Sequence, residues 1–311
     1  MRTRRLQSSG NPVKGITKDG HRSVLLQETI DSLALSTADV VIDATLGAGG
    51  HSKEILTQLG KKGMLIGFDA DKEAIERTRA SLPKASATIH LIHANFRTMK
   101  IELAKLQIPS VTKILFDLGW SGYQLSAGRG FSFQSDEPLG MAYDGSAGLT
   151  AGTIVNEWSE ENIADVLYGW GEERYSRRIA KAIVESRSIK SIATARELAD
   201  IIKASVPAAY RFGKTHPATK SFQALRIAVN DELGALEEGL RAAWELLAPG
   251  GRISVISFHS IEDRIVKRQF VEWKSEGKGE LITRKPVIAS DEELVVNPRA
   301  RSAKLRVIQK I

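Results

Sequence analysis

Three aspartates, Asp43, Asp69 and Asp117, each stand at the end of a short apolar run in the first half of the chain. Such runs are typical of buried strands, and open parallel α/β sheets bind ligands at the carboxyl ends of their strands. A carboxylate at that edge can hold a cation, grip ribose hydroxyls or accept a hydrogen bond from a reacting amine. We therefore expect Asp43 and Asp69 beside a cofactor, and Asp117 where cofactor and substrate meet.

The turn after Asp43 carries a glycine cluster before a helical pattern begins, which is the order of a nucleotide-binding βα unit: Gly47, Gly49 and Gly50. The dinucleotide pattern G-x-G-x-x-G is not met, because the third glycine would fall at Ser52. A P-loop would need Lys where His51 stands. A carboxylate beside the turn disfavours pyrophosphate, and it suits S-adenosylmethionine, which has no phosphate and carries an ammonium and a sulfonium group.

Asp69 has two interpretations. It lies about 20 residues after the glycine turn, where an acidic side chain grips ribose hydroxyls. It could instead cap the next helix, although Asp71 could fill that role. The strand pattern before Asp69 favours ribose binding.

Asp117 and His259 are the candidate catalytic residues. The exocyclic nitrogen of a base has a delocalised lone pair, and a hydrogen bond from its N–H to a carboxylate restores its nucleophilicity in the transition state. Asp117 could accept that bond, or it could cap the following loop or contact the cofactor. His259 ends the fifth predicted strand and faces the same crevice, although a helix-start role fits it too.

Aromatic residues around Arg129 could stack on an extruded base, as single-stranded bases are read: Trp120, Tyr123, Phe131 and Phe133. We expect these residues and Ser121 to face the substrate. Phe131 and Phe133 are two apart, so they could equally form a buried edge strand. Phe96, after the third strand, could cover an adenine ring or belong to the core.

The elements that would position these residues alternate between strands and helices. The pattern predicts strands over 40–43, 63–69, 88–92 and 113–117 and helices over 51–59, 71–81 and 99–106, hence a parallel α/β sheet. Residues 118–152 form a long loop, and three helices follow, over 159–169, 172–187 and 194–206. One long helix over 219–247, a strand over 253–258, a helix over 261–273 and two strands over 281–288 and 304–308 complete the prediction.

Composition narrows the classes of function. The chain has 311 residues, a net charge of +7 and a pI near 9.5, which favours an acidic partner such as nucleic acid. It has no cysteine, which excludes disulfides, Fe–S clusters and the covalent thiol mechanism of pyrimidine C5 methylation. We expect a soluble protein, a basic flexible arm over residues 1–22 and no metal site.

Six separate motifs occur in order between His21 and the C-terminus: D-A-T-L-G-A-G-G-H-S, R-G-F-S-F, Y-G-W-G-E-E-R, S-F-Q-A-L-R-I, I-S-F-H-S-I-E-D-R-I-V-K and N-P-R-A-R-S-A-K-L-R. Together they resemble those of the bacterial small-subunit ribosomal RNA cytosine-N4 methyltransferases. The loop after Asp117 departs from the usual family sequence. Another RNA acceptor, or a ribosome-assembly factor that keeps the fold without turnover, therefore stays open as an alternative.

The resemblance implies a class I, Rossmann-like methyltransferase sheet with an inserted all-helical domain. The core would consist of residues 23–135 and 215–311, and the insertion of residues 136–214. It implies S-adenosylmethionine as donor and N4 of a decoding-centre cytidine in 16S ribosomal RNA as acceptor, in the cytoplasm. By matching motif, the cofactor residues would be Gly49, Gly50, His51, Asp69, Phe96, Asp117 and Gln124. Whether the protein is a homodimer stays open.

Overall fold

The structure is a computed structural model that describes residues 22–119, 128–134, 136–143, 148–213 and 215–311. Four residues of the predicted site or its loop lie outside the described residues: Trp120, Ser121, Tyr123 and Gln124. The predicted basic arm lies outside them as well, except for Arg22.

One seven-stranded sheet carries the first and last parts of the chain. Its strands are β1 Val40–Asp43, β2 Met64–Asp69, β3 Thr88–His93, β4 Val111–Asp117, β5 Leu247–Ser257, β6 Gly279–Leu281 and β7 Lys304–Lys310. Their order is β3-β2-β1-β4-β5-β7-β6, with β1 to β5 parallel and β7 antiparallel to both of its neighbours. This is the strand order of a class I methyltransferase, and the predicted fold class is confirmed.

Thirteen α-helices lie within the described residues. The first four are α1 Leu26–Leu33, α2 Gly50–Gln58, α3 Lys72–Ser81 and α4 Met99–Lys105. The helical segment that follows contains α5 Ala151–Glu157, α6 Glu160–Gly171, α7 Ser176–Ile189, α8 Ala195–Ser205 and α9 Ala208–Arg211. The last four are α10 Thr219–Asn230, α11 Glu232–Leu246, α12 Ser260–Ser275 and α13 Asp291–Val296. None of the helices is long and apolar enough to cross a membrane.

Alternating side chains of the strands form a core on each face of the sheet. Val41, Leu65 and Leu115 pack against α1 and α2 on one face. Their neighbours Ile42, Ile66 and Phe116 pack against α4, α11 and α12 on the other. Because both faces are covered, the carboxyl edge of the strands is the part of the sheet left open for a ligand.

A third hydrophobic core lies within the helical segment. It is built from buried side chains of α5 to α8 and of α10, and the loop residues Leu139 and Met141 belong to it. Local caps begin two of these helices: Ser159 accepts from the Asn162 N–H, and Thr194 forms a capping box with Glu197. Helix α10 therefore packs with the helical segment, whereas α11 packs on the sheet.

The prediction of one helix over 219–247 is wrong. The helix is broken at Asp231, whose φ of 46° lies in the left-handed region. Asn230 anchors this break to the preceding loop, because its Nδ2 donates to the Met141 carbonyl at 2.7 Å and its Oδ1 accepts from the Tyr143 N–H at 2.8 Å. The two halves pack in different cores, so their common apolar periodicity could not reveal the change of direction.

Smaller predictions also differ from the structure. Helix α7 begins at Ser176 rather than 172, because Glu172 adopts a left-handed conformation that ends α6. The strand predicted over 281–288 is confined to Gly279–Leu281 and an isolated bridge between Val287 and Leu305. Phe131 and Phe133 lie in irregular structure, so the edge-strand alternative for them is wrong.

Candidate active site

The glycine turn between β1 and α2 is packed too closely for larger residues. Gly49 has a φ of +72°, and a Cβ there would lie 2.6 Å from Thr78 Cγ2. A Cβ on Gly50 would lie 1.9 Å from Ser23 Oγ. The Gly47 N–H donates to Asp69 Oδ2 at 2.8 Å, and the Thr78 hydroxyl donates to the Gly47 carbonyl at 2.9 Å. The turn is thus fixed against both β2 and α3.

Asp43 and Asp69 bring two carboxylates to this turn, one buried and one partly exposed at the cavity. Asp43 accepts from the Ser52 hydroxyl at 2.6 Å and from the Thr45 N–H at 3.3 Å. Burial raises the pKa of Asp43 to about 6 despite these bonds. Burial also raises the pKa of Asp69 to about 6, with the nearby carboxylates of Asp71 and Asp43 adding to the effect. A cationic ligand would favour the ionised form of both.

The structure separates the two interpretations of Asp69. Asp71 is the N-cap of α3, because its side chain accepts from the Glu73 N–H at 3.0 Å. Asp69 instead accepts from the Asp71 N–H at 2.8 Å and from the glycine turn. Its role as the helix cap is therefore wrong, and its role toward ribose stays a prediction.

Asp117 ends β4 beside the turn. Its backbone N–H donates to Thr45 Oγ1 at 2.6 Å, and its side-chain Oδ2 lies 3.5 Å from His51 Nδ1. The other oxygen, Oδ1, is occluded and has no hydrogen-bond partner among the described residues. Burial raises the pKa of Asp117 well above its usual value, and the carboxylates of Asp43 and Glu262 raise it further.

His51 orients toward Asp117 through its other ring nitrogen. Nε2 lies 3.1 Å from the Val24 carbonyl oxygen, which can only accept, so Nε2 carries a hydrogen. Nδ1 then faces Asp117 either as a lone pair or with a second proton. The contact between His51 Nδ1 and Asp117 Oδ2 is favourable when one proton lies between these two atoms, on either of them, in addition to the proton on Nε2.

His259 is the N-cap of α12, as one of its two predicted roles requires. Its Nδ1 accepts from the Glu262 N–H at 3.4 Å, and its Nε2 lies 3.1 Å from Glu262 Oε1. Glu262 completes the capping box by accepting from the His259 N–H at 3.3 Å, and it also accepts from the Phe258 N–H at 2.8 Å. His259 also lines the cavity described below, so the helix-start role and the position in the crevice coexist.

Phe131 and Phe133, the two aromatic residues predicted near Arg129 that the structure describes, line the cavity described below. Phe131 stacks on Tyr143 at a centroid distance of 5.7 Å, and Phe133 stacks on His216 at 4.5 Å. Arg129 is directed elsewhere: it contacts Asp71 at 3.3 Å and Glu73 at 3.1 Å, both near the start of α3. It therefore ties the loop to α3.

Phe96 belongs to the core and also lines the cavity. Its ring meets Phe116 edge-on at 5.4 Å, and a Cβ on Gly239 would lie 2.5 Å from it, so it belongs to the core under α11. It also lines the cavity beside Asn95. Its contact with an adenine ring stays a prediction.

A cavity of about 510 Å³ joins these features, between the carboxyl edge of the sheet and the helical segment. The sheet contributes the predicted residues to its lining: Gly47, Gly50, His51, Asp69, Asp117 and His259. The helical side contributes Phe131, Phe133 and Tyr143, and two residues that sequence reasoning missed, Arg226 and Glu232. The available signal was Arg226 itself, a charge within the apolar helix pattern of 219–230.

Glu232, His259 and Glu262 bring potential ligand atoms within 4.8 Å of one another at the rear of this cavity. Arg226 already engages both oxygens of Glu232, at 2.7 Å and 2.8 Å. The Glu232 carboxylate is therefore already paired with a guanidinium.

Comparisons with known proteins agree with this architecture. The chain is 45% identical to the ribosomal RNA small subunit methyltransferase H of Paenibacillus sp. (strain JDR-2), over 94% of this chain and 99% of that one. It is 42% identical to the protein of the same name from Clostridioides difficile (strain 630), with the same coverage. The relative from Symbiobacterium thermophilum is 45% identical, over 94% and 96%. The family model of the MraW methylase family matches residues 18–311, and the chain belongs to that family.

Proposed function

We propose that this protein transfers a methyl group from S-adenosylmethionine to the exocyclic N4 of a cytidine in small-subunit ribosomal RNA, at the decoding centre. Three relatives with at least 42% identity carry the name of a small-subunit ribosomal RNA methyltransferase, which supports the substrate. The net charge of +7 suits a polyanionic partner. The proposal includes a cytoplasmic location and an insertion over 136–214 in a core formed by 23–135 and 215–311.

The residues at the glycine turn fit the proposed cofactor. Two carboxylates, Asp43 and Asp69, have raised pKa values that a cationic ligand would lower. Gly47 and Gly50 line the cavity, so the backbone of the turn there is open to a ligand, whereas Gly49 packs closely against Thr78. S-adenosylmethionine, when bound, supplies a methyl group made electrophilic by its positive sulfur. We propose that Asp43, Asp69, the glycine turn, His51 and Phe96 hold it, together with Gln124.

Asp117 would prepare the acceptor nitrogen. Its side chain is 24% exposed and lines the cavity at the carboxyl end of β4, so a ligand in the cavity can reach this carboxylate. An amine N–H donated to this carboxylate would localise the nitrogen lone pair, which must be free to attack. The same carboxylate would then accept the proton that the methylated nitrogen loses, with His51 Nδ1 3.5 Å from its Oδ2. This partly exposed carboxylate in the lining of the cavity is the observation that carries the proposal.

The test uses small ribosomal subunits that lack the modification, incubated with the protein and isotope-labelled S-adenosylmethionine. Nucleoside digestion and mass spectrometry should detect labelled N4-methylcytidine. Asp117→Ala and Asp117→Asn should lower the rate by about a hundredfold or more, the scale of losing one preorganised polar group, while cofactor affinity by calorimetry changes little.

Other outcomes separate the alternatives. A label on another nucleoside would indicate a different RNA acceptor. Cofactor binding without any labelled nucleoside would indicate an assembly factor without turnover.

A further inference from the structure

Arg226 is a buried guanidinium on the helical side of the cavity, and the proposed mechanism leaves it without a role. It lies in α10 and is 8% exposed. Its Nε donates to Glu232 Oε1 at 2.7 Å and its Nη2 to Glu232 Oε2 at 2.8 Å. The Tyr143 hydroxyl donates to the same Oε1 at 2.8 Å. Two parallel bonds and a supporting phenol therefore fix the plane of the guanidinium.

The third nitrogen of this group is uncommitted. Nη1 makes no hydrogen bond to any residue that the structure describes, and it is not among the fully occluded polar atoms that lack a partner. Arg226 lines the cavity, so Nη1 keeps its accessible surface there. A guanidinium nitrogen can only donate, and a buried donor without an acceptor is costly. The position therefore calls for an acceptor on the molecule that enters the cavity.

Glu262 connects Arg226 to the proposed catalytic aspartate. The charge of Glu262 acts on the pKa of Asp117 from one side and is itself influenced by Arg226 from the other. Glu262 and Glu232 also bring oxygens within 4.8 Å of one another. Asp117, Arg226 and Glu262 all line this cavity, so an acceptor and a fixed donor face the same ligand space.

A cytosine ring has the complementary edge. Its 4-amino group donates, and its N3 and O2 accept. Uracil offers an acceptor at O4 and a donor at N3, so it would place an acceptor against Asp117 and a donor toward Arg226. Adenine has an amine and one adjacent acceptor, but a C–H where cytosine has O2. We propose that Arg226 Nη1 donates to the N3/O2 edge of the target cytosine and so selects this base, with Glu232 and Tyr143 as positioning residues. This inference rests on the proposed function.

The test compares three small-subunit RNAs that differ only at the target nucleotide, which is cytidine, the pyrimidin-2-one ribonucleoside or an abasic site. The pyrimidin-2-one base lacks the 4-amine of cytosine but keeps N3 and O2. Dissociation constants are measured with the protein saturated with S-adenosylhomocysteine. Arg226→Lys keeps a charge for Glu232 but loses the fork. It should weaken binding of the pyrimidin-2-one RNA by about tenfold to a hundredfold and leave the abasic RNA unchanged.

Asp117→Asn is the matched control. It should leave binding of the pyrimidin-2-one RNA unchanged, because that base has no amine, while it lowers turnover on cytidine. Tyr143→Phe removes only the support of Glu232, so it should weaken pyrimidin-2-one binding in the same direction by a smaller factor. It replaces Arg226→Lys if the latter lowers the Tm or the cofactor affinity.

Two results would overturn the inference. The first is equal affinity of the wild type and of the Arg226 or Tyr143 variants for the pyrimidin-2-one RNA. The second is an equal loss of affinity for all three RNAs, which would assign Arg226 to the RNA backbone or to the fold. Failure of the proposed function looks different. In that case the wild-type protein would not methylate the cytidine RNA and would not distinguish the three RNAs.

Discussion

The affinity for S-adenosylmethionine should fall sharply as the pH falls through about 6. Asp43 and Asp69 both have pKa values raised from 3.8 to about 6, mainly by burial. Asp43 would act through its negative charge beside the turn and Asp69 by accepting from the ribose hydroxyls. Both roles need the ionised carboxylate, so binding is complete above this pKa and is lost below it. A group with a pKa of about 6 is roughly one-tenth ionised at pH 5, so affinity falls about tenfold for one required carboxylate and about a hundredfold for two.

The assay is isothermal titration of the protein with S-adenosylmethionine between pH 5 and pH 7.5. The logarithm of the dissociation constant should change with pH by up to two units per pH unit at the acid end. Asp69→Asn removes one titrating group and should halve that slope as well as weakening binding at pH 7.5. A dissociation constant that stays constant over this range in the wild-type protein would refute the electrostatic account of the site.

The remaining predictions concern stability and local geometry. Because Asp43 and Asp69 have raised pKa values, the folded protein binds more protons than the unfolded chain between about pH 4 and pH 6. The contribution of these two groups to the free energy of unfolding of the ligand-free protein should therefore decrease as the pH rises through that window. Thermal unfolding of wild type and Asp43→Asn would check this, and a contribution that increases would contradict it. Gly49→Ala should lower the Tm and weaken cofactor binding, because its Cβ would clash with Thr78 Cγ2, and Thr78→Ser should restore part of both losses. Gly169→Ala is the control: it lies in an open position of α6 and should stabilise the protein by about 0.5–1 kcal/mol. Equal effects of the two alanine substitutions would contradict the packing argument. Asn230→Ala should lower the free energy of unfolding by about 1–3 kcal/mol in denaturant titrations, because it leaves the Met141 carbonyl and the Tyr143 N–H without their partner. An unchanged unfolding midpoint would show that the helix break does not depend on this anchor.

The sheet edge could be predicted from the sequence because its signals are local. Each aspartate directly follows a buried strand, and the glycine turn lies between a strand and a helix. Parallel topology then brings residues that are far apart in the chain to one edge. Caps such as that of Thr194 are equally local, since the partner is three residues away.

The helical side of the cavity could not be predicted in the same way. The break at Asp231 depends on contacts of Asn230 with residues about 90 positions earlier, which no periodicity records. The same break places Glu232 opposite Arg226 and so creates the fixed guanidinium. Arg129 shows the reverse case: its position among aromatic residues suggested a substrate contact, yet its charge pairs with Asp71 and Glu73.

The acceptor atom is the central claim, and one measurement tests it most directly. Small subunits whose cytidines carry ¹⁵N at the exocyclic amine are methylated with deuterated S-adenosylmethionine, and the digested nucleosides are fragmented in the mass spectrometer beside N4-, C5-, N3- and 2′-O-methylcytidine standards. We expect the deuterated methyl group to leave the base together with the ¹⁵N label, and Asp117→Asn to abolish that signal. A methyl group that separates from the ¹⁵N, or that stays with the ribose, would contradict the proposed attack by the amine held at Asp117.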